Sequence, residues 1–551
     1  MIFGETIAVV PIFVNAGAAV LPTVLAAAAS IAMVAFKPRE LVRLLGRWPV
    51  ALGVAAALVV IGLGITVWCL TSASSAHTAR RAGLAATVHC DWAKVAQELI
   101  AQQQVRQATT ATSAGSTRKA SPVVSAIEQP VSVPHTEQDL SCGSPATEPS
   151  PVKLTPLWRF CPEDTIFLGT PAVVGKGPQA QPVLGAPGCI FATGCQTDLG
   201  GYTGLLVCLD SETGRPLWQV AEIKGEPLRP FFSSPAVTAD GRYVVVGQGL
   251  HEDRDCSLLC FDAATGQLRW AVKTPLHVES SPAVFGDLAV VGAGAVEGRD
   301  GKPSGDPGYC LAVRISDGKE LWRQPVNDPE SSPAIDENGI VYIGSGFNGS
   351  AVVAIRSQSD EQLRAKNLER ILWRTSVAQP IPGPITLAGE VVIAGGGNSD
   401  LVHSNRNARG LAVALDRRTG AILWQTQFDD AVLGGIACGN DMLFCPVRTG
   451  DVAALALKDG RVLWRTRISG NAPVLGGCVR AGSRVYAVSN DGYLAVLDSR
   501  NGHMLEKTYL NDQAKPGTGL TLATPRVAGR RVVVGSETGG LRCLLESGGI
   551  E

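Results

Sequence analysis

Residues able to do chemistry gather in three polar stretches of the C-terminal two-thirds of the chain. Residues 248–257 carry His251, Glu252, Asp253 and Asp255, residues 294–309 carry Glu297, Arg299, Asp300 and Asp306, and residues 396–409 carry Asn398, Asp400, His403, Asn405 and Arg406. Carboxylate and amide oxygens at this density could hold Ca²⁺, and an imidazole beside a carboxylate is the raw material of general acid–base catalysis. No nucleophile, base and orienting acid stand out as a set, however, and His251, His277, His403 and His503 are equally well explained as exposed loop or turn residues. These stretches are therefore expected to be a recognition surface, and no catalytic, cofactor-binding or metal-binding residue is assigned.

The 14 cysteines give no metal or haem signature, because none forms Cys-x-x-Cys and none is followed by His. Three local pairs, Cys189 with Cys195, Cys256 with Cys260 and Cys438 with Cys445, are candidates for disulfides in an oxidising compartment. Cys208, Cys260, Cys310 and Cys543 fall in apolar runs, where a buried thiol behaves as a small hydrophobe.

What positions the polar stretches is a repeat. An apolar run, Asp or a substitute, three residues, Gly, three residues and Trp recurs as Asp210-Ser-Glu-Thr-Gly214-Arg-Pro-Leu-Trp218 and Asp262-Ala-Ala-Thr-Gly266-Gln-Leu-Arg-Trp270, with further copies ending at Trp322, Trp373, Trp424 and Trp464. The intervals between these tryptophans are 52, 52, 51, 51 and 40 residues, a period that with short strands and turns denotes propeller blades. A second marker, small-Ser-Pro-Ala-apolar or a Gly variant, occurs at Pro171, Pro235, Pro282, Pro333, Pro384, Gly435, Gly477 and Pro525. Eight markers predict an all-β, eight-bladed propeller of four-stranded blades. In each, Asp-x-x-Thr-Gly makes the turn between third and outer strands, with Asp accepting backbone N–H bonds and Gly supplying positive φ. The Trp then covers the outer face between blades. The polar stretches are enlarged connections between second and third strands, so they decorate one rim, where propellers present loops to partners.

The last blade ends at its third strand, 540–545, whereas Leu154-Thr-Pro-Leu-Trp158-Arg-Phe160 is an outer-strand signature without a blade. Pairing the two would close the ring and remove an open edge.

The Asp-x-x-Thr-Gly-x-x-x-Trp motif resembles the PQQ-like (pyrroloquinoline-quinone-like) repeat family over residues 153–551. The resemblance implies the propeller fold, and it is closest in character to the noncatalytic barrel-assembly lipoproteins of that family. The quinoprotein alcohol dehydrogenases that share the repeats use a vicinal disulfide against the cofactor, a calcium site and a catalytic Asp. This sequence has no Cys-Cys pair and no calcium or base residues that can be carried over one by one. No cofactor is predicted, PQQ and calcium stay open, and a PQQ-dependent or other periplasmic oxidoreductase is the alternative to a binding scaffold.

The N-terminal region is of another kind. Residues 50–70 form an uncharged apolar run whose length as a helix, about 31 Å, matches the hydrocarbon layer, and about 16–36 form a second. The intervening loop, Lys37 to Arg47, carries four cations and one acid, against Glu5 alone before the first run. The positive-inside rule makes that loop cytoplasmic and everything after residue 70 extracytoplasmic. The expected organisation is a membrane anchor over 1–75 with two transmembrane helices, a juxtamembrane helix over 76–107, a Ser/Thr/Ala/Pro-rich linker over 108–152 and the propeller over 153–551. A net charge of −1 and the lack of a basic run in the soluble part argue against nucleic acid; the expected partners are the membrane and another protein.

Overall fold

The computed structural model describes residues 152–547 apart from 175–187, 199–200, 252, 295–306, 348 and 516. Both transmembrane runs, the juxtamembrane helix and the linker lie outside the described residues. So do Glu252, Arg299, Asp300 and Asp306. Among the described residues, no helix is long and apolar enough to cross a membrane.

Eight antiparallel four-stranded sheets form the blades, with one extra short strand, Thr165–Ile166, added to the first. Blade 6 shows the plan: Ala437–Gly439, Met442–Val447, Asp451–Ala456 and Val462–Arg467 run from inner to outer strand, each paired with the next. The second and third strands are buried along nearly their whole length because each blade is sandwiched between two others, so apolar residues occupy both strand faces and the sequence shows runs such as Val244–Val246. Outer strands alternate exposed and half-buried residues, as expected of strands with one wet face.

The ring closes as the sequence predicts. Leu154–Phe160 pairs antiparallel with Gly540–Glu546, in register from Leu154 opposite Glu546 to Phe160 opposite Leu541, which makes it the outer strand of blade 8.

Each repeat tryptophan docks on the next blade. The indole N–H of Trp158 donates to the carbonyl of Ser211 at 3.1 Å, Trp218 to Ala263, Trp270 to Ile315, Trp322 to Ser357, Trp373 to Arg417, Trp424 to Leu457 and Trp464 to Ser499. The acceptor lies in the connection between third and outer strands, which Asp, Thr and Gly build as a turn in blades 1, 2 and 5. In blade 1, Asp210 Oδ1 accepts from Thr213 N and Thr213 Oγ1, both at 2.8 Å, and Gly214 takes φ +68°. A bulge in the outer pair sets each of the seven indoles opposite a small side chain, as with Trp464 opposite Ala454 and Trp218 opposite Cys208.

Two joints depart from this plan. Blade 4 replaces the turn with the helix Asp360–Ala365, started by a Ser359 capping box. Blade 7 has Glu506 at the Trp position, opposite Val496, and its joint to blade 8 is held by a buried polar set in which Tyr486 donates to Glu546 at 2.6 Å and Arg484 pairs with the same carboxylate.

No disulfide joins any two of the eleven cysteines among the described residues. Geometry excludes two of the candidate local bridges: Cys189 and Cys195 share one strand, as do Cys256 and Cys260, and at about 3.3 Å per residue the closer pair is about 13 Å apart, beyond disulfide reach.

Candidate functional site

The connection from each outer strand to the following blade crosses the top of the ring and enters the centre at the Ser-Pro marker. There the markers join neighbouring blades. Ser234 N donates to Ser281 Oγ at 3.0 Å, Ser281 N donates to Ser332 Oγ at 3.0 Å, and Ser280 Oγ donates to the Ser331 carbonyl at 3.1 Å. The axial channel that these segments enclose has a cavity of about 850 Å³. Leu433, Leu475 and Leu522, from the connections of blades 5 to 8, make one wall apolar; His251, Glu279 and Glu330 make the facing wall polar.

Four titratable side chains converge on that polar wall. His251 comes from the loop between second and third strands of blade 2, His277 and Glu279 from the connection between blades 2 and 3, and Glu330 from the connection between blades 3 and 4. His251 Nδ1 lies 2.8 Å from Glu330 Oε1 and 3.8 Å from Glu279 Oε1, and His277 Nε2 lies 3.4 Å from Glu330 Oε1. The imidazole centroids are 5.3 Å apart. His277 is fully buried, and neither of its nitrogens has a hydrogen-bond partner. Room for the imidazole comes from glycine: a Cβ on Gly294 would stand 2.6 Å from His277 Nε2, and one on Gly249 3.0 Å from His277 Cβ. Burial works against protonation of both histidines, but the two carboxylates outweigh it and hold the imidazoles above their ordinary range. Burial likewise favours a neutral Glu330, yet the two histidines draw its carboxyl well below the usual range.

The structure gathers part of the expected rim. His251, Asn398, Asp400 and His403, from blades 2 and 5, border the same channel cavity. His403 is 83% exposed, and Val402 beside it is 72% exposed. Arg406 is exposed on the same loop. Asn398 and Asp400 shape that loop: Arg409 N donates to Asn398 Oδ1 at 2.7 Å, and Val402 N to Asp400 Oδ1 at 2.7 Å. Asp253 has a local task, accepting from Leu250 N at 2.8 Å and pairing with Arg229 at 3.3 Å. Asp255 sits at φ +53° where the third strand begins. His503 is exposed in a turn, as expected.

His277 corrects the sequence reading. It follows an outer strand and was expected to be exposed, but the connection turns inward across the blade and buries it. Glu279 and Glu330 were not singled out. Their signal is the pentapeptide Glu-Ser-Ser-Pro-Ala, present at 279–283 and again at 330–334 and in no other marker.

Comparison with known proteins decides the family. The family model described as outer membrane protein assembly factor BamB matches residues 155–407 and 408–550. The chain belongs to this family. BamB of Burkholderia pseudomallei (strain K96243) is 26% identical over 321 residues, 55% of this chain and 71% of the relative, and BamB of Yersinia pestis is 23% identical over 225 residues, 36% of this chain and 52% of the relative. The crystal structure of BamB from Moraxella catarrhalis, at 15% identity, superposes with a TM-score of 0.51 over 71% of this chain and 99% of its own, a likeness of fold.

Proposed function

We propose that this chain is a membrane-tethered, extracytoplasmic scaffold of the BamB kind, which holds a protein partner at one rim of the propeller in the service of outer-membrane protein assembly. The observation that carries the reading is the family match along the whole propeller, since the relatives it resembles are named as assembly factors. The rim offers suitable material: an exposed Val402–His403–Arg406 loop, held from beneath by Arg448 donating to the Asp400 carbonyl at 2.8 Å, beside the wide channel mouth. A rigid ring with exposed apolar and charged loop side chains supports recognition without ordering a large surface on binding. The oxidoreductase alternative has less behind it, because the sequence lacks the adjacent cysteines of the quinoprotein dehydrogenases.

The test is genetic and biochemical. Loss of the gene should lower the amount of folded β-barrel proteins in the outer membrane, and the wild-type chain should restore it. A chain whose residues 401–407 are replaced by Gly and Ser should fold and melt normally yet restore little. Full restoration by that variant would move the partner site elsewhere, and barrel levels unaffected by gene loss would remove the assembly reading.

A further inference from the structure

We propose that His251, His277, Glu279 and Glu330 form a binding site for a divalent transition ion, zinc fitting best, at the polar wall of the channel. This inference stands on the cluster alone and is independent of the assembly reading.

The four candidate ligand atoms all lie within 4.8 Å of one another. Metal–ligand distances of about 2.0 to 2.2 Å in a tetrahedron put ligand atoms about 3.3 to 3.6 Å apart, and the spacings of 2.8, 3.4 and 3.8 Å bracket that range. Ligation therefore needs only small side-chain adjustments. A pair of imidazoles with a pair of carboxylates suits zinc and its first-row neighbours, not Ca²⁺ or Mg²⁺, which want all-oxygen shells.

Two observations point to an ion more strongly than to a chance meeting of charged side chains. Both nitrogens of fully buried His277 lack hydrogen-bond partners, which costs about 1 to 3 kcal/mol per group unless something supplies the contact. On binding, one dication would displace the two imidazolium protons, so the cluster of two carboxylates and two imidazoles stays electrically balanced. Finally, the residue beside His277 Nε2 is Gly294, where a Cβ would stand 2.6 Å from that nitrogen. The ligands come from three successive connections, so the ion would pin the His251 loop and the entrances of blades 3 and 4 to each other. His251, the outermost ligand at 36% exposure, faces the channel and gives the ion its route in.

The experiment uses the detergent-solubilised full-length chain, stripped with chelator and titrated with Zn²⁺ against a chromophoric competitor. One Zn²⁺ per chain is expected at submicromolar Kd, with a raised melting temperature. Co²⁺ should give the intense visible bands of a four-coordinate nitrogen/oxygen site. His251→Gln and Glu279→Gln, both toward the channel side of the cluster, should each weaken Zn²⁺ binding at least about tenfold and abolish the melting shift. His403→Ala, at the same channel mouth, should change neither. Absence of stoichiometric Zn²⁺ binding and of Co²⁺ bands in the wild-type chain would overturn the proposal whatever the variants do, as would undiminished affinity in folded His251→Gln and Glu279→Gln.

Discussion

At the scale of single residues, the turn glycine has two tasks of which the motif reveals one. Gly214 needs its φ of +68°, but a Cβ there would also strike the Trp158 ring at 2.5 Å. Gly286 has a similar φ, +57°, with open space around it. Gly214→Ala should therefore cost about 3 kcal/mol, combining left-handed strain with a clash. Gly286→Ala should cost only about 1 kcal/mol, for the strain alone. Urea unfolding of the two variants measures the difference, and equal losses would mean that the indole contact carries no weight. A second residue ties stability to pH. Burial favours the neutral form of Glu537, but N–H groups of Leu520, Thr518 and Gly519 and the Thr518 hydroxyl outweigh it and hold the carboxyl below its ordinary value. A lowered folded pKa contributes stability above the unfolded value of about 4.5, and that contribution fades as the pH falls below it. Glu537→Gln should cost about 2 kcal/mol at pH 7 and flatten the loss of stability between pH 6 and pH 3.5. An unchanged pH profile would show that other carboxylates dominate. The Asp210–Thr213–Gly214 turn was legible because its hydrogen-bond partners lie within four positions, whereas Glu537, whose partners lie 17 to 19 positions away, was not. The His251, His277, Glu279 and Glu330 cluster was not, since its members are up to 79 positions apart and meet only because successive connections converge on the axis.

At the scale of elements, the closing strand was readable before the structure because Leu154 to Phe160 carries an outer-strand pattern and the last blade lacks one. Its pairing with Gly540–Glu546 joins the two ends of the propeller. The indole of Trp158 is half-buried, not enclosed as Trp322 is, so Trp158→Ala should cost about 2 to 3 kcal/mol, at or below the lower end of the range for a buried tryptophan. Deleting residues 153–160 should be far worse, because it exposes the N–H and C=O groups of strand Gly540–Glu546 and frees its edge to pair with other chains. Aggregation, or protease cleavage near residue 525, is expected, and a monodisperse domain with unchanged melting would break the closure argument. The joint between blades 7 and 8 was illegible for a physical reason. Its Glu546, Arg484 and Tyr486 substitute a buried ion pair for the docking tryptophan, and such a substitution leaves a gap in the repeat without announcing what fills it. The helix Asp360–Ala365 was missed in the same way, as an insertion that the repeat spacing absorbs.

At the scale of the whole molecule, the propeller would work as a scaffold only in the compartment where its partner is found, and the sequence before residue 76 addresses that. A loop with four cations and one acid between two apolar runs of membrane-spanning length favours the cytoplasmic side, because moving several cations across the bilayer opposes both the translocation bias and the membrane potential. With that loop inside, the expectation is that both apolar runs span the membrane and that the propeller, which follows the second, is extracytoplasmic. Arg80 and Arg81, beyond the second run, reduce the asymmetry, from four cations against none to four against two. Shifting the balance should therefore be possible by substitution in the loop alone. A periplasmic-type reporter fused after residue 75 should be active and a cytoplasmic-type reporter silent. Replacing Lys37, Arg39, Arg43 and Arg47 with Gln should raise the cytoplasmic signal at the expense of the periplasmic one, since only Arg80 and Arg81 would then bias the topology. Activity of the cytoplasmic reporter in the unmodified chain would place the ring inside the cell and remove the compartment that an outer-membrane assembly scaffold requires.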